Sequence, residues 1–167
     1  MPSQIKTEAA DEAAKLLEVA WEHRSIPVDP IAIARSASIE VLEAALDENT
    51  LGALIKEPGA VPKIVINERH PETRKRFTCA HELGHWTRRG DGDEEYTTVD
   101  LRNHLSSTGD DPEEVFANGF AAALLMPEAE FRLQYALWKK ASLLGIRFKV
   151  SQEAAEFRIK HLNLGLE

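Results

Sequence analysis

Apolar residues recur at helical spacing near the start of the chain. Ala13, Leu16, Leu17, Ala20 and Trp21 fall at i, i+3, i+4, i+7 and i+8, which makes one stripe of an amphipathic helix over residues 4–24. Asp11, Glu12, Lys15, Glu18 and Glu22 lie mostly off that stripe. "SIPVDP" then interrupts the pattern with two prolines. Asp29 followed by Pro30 reads as an N-cap and a first turn, so a short helix is expected over about residues 30–36. Beyond it the period drops to two. SIEVL (38–42), LGALIK (51–56) and KIVIN (63–67) read as strands, the last with three β-branched residues in a row. Pro58-Gly59 supplies a turn between the second and third. Together they predict a small antiparallel three-stranded sheet.

The helical period returns after Pro71, which suits the first position of a long helix ending near Gly90. Residues 91–111 are polar and acidic and read as a loop with at most short structure. Further helices are expected from about residue 112 to 126 and from 127 to 144. Ser151 caps a last helix that Gly165 ends; its capping box is only partial, because the third residue after the cap is Ala154, not Glu. The pattern shows no internal repeat. It predicts a helix-rich α+β fold, with residues 1–167 as one domain.

Composition narrows the function. The chain has 167 residues, 43% of them hydrophobic, and a net charge of −8. That balance argues against direct nucleic-acid binding, which needs a basic patch, and against an anionic membrane surface. FAAALLM (120–126) is far too short to span a bilayer, and the first residues lack a signal-peptide pattern. A cytoplasmic location is expected. Cys79 is the one cysteine, so neither an intramolecular disulfide nor a Cys-rich zinc site can be built.

The chemistry concentrates in "FTCAHELGHW" (77–86). His81 and His85 are four apart, one turn apart on one helical face, where both imidazoles can reach one Zn²⁺. Glu82 is rotated about one hundred degrees from them. There it can take a proton from water without ligating the metal. With 6 His and 20 Glu in the chain, a shuffled sequence shows H-E-x-x-H roughly one time in forty, so the five residues need support from elsewhere. Gly84 inside the helix costs about 1 kcal/mol against alanine, which suggests close packing, here against the sheet. Cys79 and Trp86 read as packing residues.

A catalytic zinc needs a third protein ligand. Asp91, Asp93, Glu94, Glu95, His104, Asp110, Asp111, Glu113 and Glu114 all follow the helix. Glu114 stands in the first turn of a predicted helix, a rigid platform. Yet Asp111, Pro112 and Glu114 also make a capping box, and local features divide Glu114 evenly between cap and ligand.

"RKRFTCAHELGHW" (74–86) together with "EEVFANGFAAALLMP" (113–127) resembles the ImmA/IrrE family of metallopeptidases. Fainter likeness extends through residues 26–41, 51–67 and 148–164. The resemblance implies a zincin-like metallopeptidase domain with one Zn²⁺. It implies that Glu114, four residues before Asn118, is the third ligand, with Glu113 as the fallback in another register. Asn118, one turn on, would support the site by hydrogen bonding. Many members carry a further histidine in the turn after H-E-L-G-H; here that turn is Trp86-Thr87-Arg88-Arg89.

These readings predict metal-assisted peptide hydrolysis, with Glu82 as the base. Tyr96 and His104, between the two site helices, are candidate donors to the oxyanion. KIVIN is a candidate platform on which an extended substrate adds a strand. Residues 91–114 hold nine acidic residues and one arginine, either a solvated loop or a rim that favours a basic target. The resemblance implies a zinc endopeptidase that cleaves a helix-turn-helix repressor and so derepresses phage, mobile-element or stress genes. The alternative is a binding module that inactivates a DNA-binding or antitoxin partner by association.

Overall fold

Four strands form one mixed sheet in the order β1-β3-β2-β4: β1 (Glu40–Ala44), β2 (Thr50–Lys56), β3 (Lys63–Asn67) and β4 (Tyr96–Leu101). The computed structural model describes residues 2–23, 25–90, 92, 94–101 and 111–165. The three expected strands are present, but the sheet is neither three-stranded nor wholly antiparallel. β3 inserts between β1 and β2, running parallel to β1, with Leu42 opposite Val65. β2 is antiparallel to both β3 and β4. Because β3 lies inside the sheet, KIVIN is no edge, and the platform expected there is displaced. β4 pairs with the other side of β2 and ends the sheet there, where the sequence pattern predicts a loop.

The reason is visible in β4's own alternation. Tyr96, Thr98 and Asp100 turn inward, while Thr97, Val99 and Leu101 are exposed. Its inner face is polar, the reverse of an ordinary half-buried strand.

Seven helices accompany the sheet among the described residues: α1 (Pro2–Ala20), α2 (Pro30–Ser36), α3 (Glu72–Arg89), α4 (Pro112–Leu125), α5 (Glu128–Trp138), α6 (Ala141–Phe148) and α7 (Gln152–His161). Several start where local chemistry predicts. Asp29 Oδ1 accepts from the N–H groups of Ile31 and Ala32 at 3.0 and 3.2 Å. Ser151 Oγ accepts from Ala154 N–H at 3.1 Å. The single helix expected over residues 127–144 is two. Lys139 takes a left-handed conformation at φ 50° between them. No Gly or Pro marks that break. It lets α6 fold back so that Phe148 packs on Phe131, with ring centroids 5.3 Å apart.

α3 is the central helix. It lies against the sheet at Gly52, where an added Cβ would stand 2.5 Å from Thr78 Cγ2 and 2.7 Å from the Val65 carbonyl oxygen. Its other flank meets α4 at Gly84, where an added Cβ would lie 3.1 Å from both Ala117 Cα and Phe120 Cδ1. The close packing at Gly84 is therefore helix against helix, not helix against sheet. α4 buries Phe116, Ala117, Phe120, Ala121, Leu124 and Leu125, and α1 covers its far side through Ala9 and Gly119. None of the described helices is long and apolar enough to cross a membrane.

Candidate metal centre

α3 carries its chemistry in the interior. Every residue from Thr78 to His85 is buried, so imidazoles and a carboxylate stand where leucines would be ordinary. Burying such groups is costly unless they are paired or bind a cation. The close contact at Gly84 lets α4 supply the partner. Glu114 places its carboxylate 3.3 Å from His85 Nε2 and 3.5 Å from His81 Nε2. The two Nε2 atoms are 3.1 Å apart. Ligand atoms about 2.0–2.1 Å from one tetrahedral zinc stand about 3.3 Å from each other, so these separations fit such an ion. One donor atom from each of the three residues lies within 4.8 Å of the others, and the set could hold a metal ion.

The orientation of His81 fits as well. Its Nδ1 lies 3.1 Å from Asn118 Oδ1. Donation to that oxygen puts a proton on Nδ1, so Nε2, which faces Glu114 and His85, is the atom that can donate to Glu114 when the ring is protonated and ligate a metal when it is neutral. Glu114 could have served only as a cap. Instead Asp111 caps α4 by accepting from Glu113 N–H at 2.9 Å, and the Glu114 carboxylate turns to the histidines. Glu113, the fallback, pairs with Arg88 at 3.2 Å.

Glu82 stands apart from this triad. It is fully buried, and Thr98 on β4 donates its hydroxyl to Oε2 at 2.9 Å. Its Oε1 has no hydrogen-bond partner among the described residues. Burial pushes its carboxyl up to about 7, against the pull of His81 and the Thr98 bond, with Asp100 and Glu114 adding to the rise. A base poised there matches proton transfer near neutral pH. Burial by itself lowers the His81 imidazole. The Glu114 hydrogen bond and the charges of Asp100, Glu82 and Glu114 outweigh it and bring the group up to about 8. The hydrogen bonds from His81 and His85 hold Glu114 well below the usual carboxylate range. A field that so favours positive charge on His81 would favour a metal cation at the same place.

Tyr96 opens β4, with the Arg89 guanidinium 4.9 Å from its ring centroid. It is a strand residue, not the loop residue expected. His104 lies outside the described residues. Thr98 and the buried Asp100 escape sequence reasoning, although the β-branched run Thr97, Thr98, Val99 carries a strand signal. Cys79 is core filler as expected; burial pushes its thiol up to about 12. Trp86 is partly buried against the core.

The chain also resembles known proteins. A solved structure of a Mycobacterium tuberculosis transcriptional regulator superposes with a TM-score of 0.62 at 19% identity, over 94% of this chain and 47% of that one. At that identity the likeness concerns the fold, and the chain spans about half the length of that protein. No curated protein sequence matches it. The family model Peptidase_M78, IrrE N-terminal-like domain, matches residues 34–160. With more than half its length matched, and His81, His85 and Glu114 gathered as a zinc site requires, the chain belongs to the Peptidase_M78 family of IrrE N-terminal-like domains.

Proposed function

We propose that this chain is a single-domain zinc endopeptidase that cleaves a helix-turn-helix repressor in the cytoplasm and so relieves repression of the genes it controls. The convergence of His81, His85 and Glu114 beside a buried, non-ligating Glu82 carries this reading. His81, His85 and Glu114 are the proposed ligands, and Asn118 orients His81. Zinc, when bound, polarises the scissile carbonyl and acidifies the attacking water.

Glu82 takes the water's proton and later passes it to the leaving amine. Thr98 keeps that carboxylate aimed by binding Oε2, which leaves Oε1 for the proton. β4 replaces KIVIN as the platform. With β1 it is one of the sheet's two end strands among the described residues, and it is the one that touches Glu82, so a substrate segment added there would lie next to the base. The net charge of −8 suits a basic partner, and the regulator of similar fold fits a role in transcription control.

A Glu82→Gln variant tests the proposal. It should bind zinc like the wild type and fail to cut the repressor. Full relief of repression by that variant would instead establish inactivation by association.

A further inference from the structure

Glu114 has the least secure backbone of the proposed metal set. It stands at the third position of α4, in the turn whose N–H groups find no intrahelical carbonyl, and helix ends fray. His81 and His85 sit well inside α3. The Asp111 cap ties down the N–H of Glu113 at 2.9 Å, and Val115 N–H bonds the Asp111 carbonyl at 3.0 Å. Both are local bonds within α4. Neither ties that turn to α3.

Arg88 makes that link. It follows His81 by seven residues and His85 by three, so it extends the ligand face of α3 by one turn. Its Nε lies 3.2 Å from Glu113 Oε1. Its Nη1 donates to the Pro112 carbonyl at 3.1 Å. Its guanidinium carbon is 4.9 Å from the centroid of the Phe116 ring. One side chain therefore holds residues on both sides of Glu114. A single partly exposed ion pair contributes little. Three contacts from one planar fork fix an orientation, which a lysine cannot do.

The geometry points to Arg88 as a positioning residue that clamps the first turn of α4 and so holds the Glu114 carboxylate over His81 and His85. This inference rests on the metal-centre reading. Electrostatics alone forecasts the opposite sign. A guanidinium near a helix N-terminus and a cation site repels the cation, so charge removal by itself would tighten zinc binding. The clamp makes its removal weaken zinc binding.

The test measures zinc affinity by competition with a chromophoric chelator for wild type, Arg88→Met and Arg88→Lys, with amide exchange on the zinc-free proteins. Circular dichroism melting establishes that each is folded at the assay temperature, and Arg88→Lys is the milder change. Both variants should bind zinc roughly ten- to a hundredfold more weakly, and exchange should quicken at Val115 and Phe116 but not along α3. Variants that bind as tightly as wild type, or more tightly, overturn the clamp and leave the metal centre standing. Weaker binding without faster exchange in that turn overturns it too. Wild-type protein that takes up no zinc defeats the metal centre, and the clamp with it.

Discussion

Helix α3 and strand β4 meet at Glu82, one supplying the carboxylate and the other the hydroxyl bonded to it. The first announces itself in the sequence; the second does not. α3 carries a spacing whose chemistry is local. Two histidines four apart share a face on any helix, whatever that helix packs against. β4 carries an alternation whose meaning depends on its neighbour. Tyr96, Thr98 and Asp100 face inward because a polar stretch of α3 lies there, and Val99 and Leu101 are left outside. Apolar-in, polar-out reasoning reads such a strand backwards or takes it for a loop. A polar strand beside a buried polar helix face is thus a sign of a site.

The comparison can be broken experimentally. The largest effect belongs to α3: His81→Ala should abolish stoichiometric zinc binding, measured by metal analysis of the purified protein. Retention of one tightly held zinc would move the centre elsewhere. Next comes the contact that seats α3 on the sheet. Gly52→Ala places a Cβ against Thr78 and the Val65 carbonyl, and should cost about 1–3 kcal/mol in denaturant unfolding. An unchanged midpoint would mean that the helix is not held so close.

β4 is probed by Thr98→Val, which keeps the shape and removes the hydroxyl. The turnover number should fall roughly tenfold, with KM and zinc affinity unchanged. The Thr98 bond favours the ionised carboxylate, so its loss raises the Glu82 pKa and moves the acid limb of the pH–rate profile to higher pH. A normal rate and profile would reduce β4 to scaffold. The smallest effect concerns Cys79. With its thiol pushed up to about 12 and buried, it should resist alkylation at pH 8 until the protein is unfolded, as mass spectrometry can show.

Legibility followed the range of the interaction that decides each feature. The α2 cap at Asp29, the α7 cap at Ser151 and the strand Lys63–Asn67 depend on residues a few positions apart, and all appear as expected. The expected helix over residues 127–144 breaks at Lys139, which has neither the freedom of glycine nor the block of proline. Long-range packing of Phe148 on Phe131 accompanies that break. Gly84 was rightly read as a packing glycine, but its partner was wrong, because spacing along one helix does not say which neighbour comes close.

By itself the sequence determined a helix with two imidazoles and a carboxylate at fixed angular positions, the caps that start several helices, and a family resemblance. Their causes lie within a few residues of chain. Only the tertiary structure decided that Glu114 turns from capping to the histidines, that β3 is interior, and that Thr98 binds Glu82. The first and last are contacts between elements distant in sequence, made where α3 lies between the sheet and α4; the second is a strand order, set by pairing with β1 and β2, that no single strand's pattern encodes.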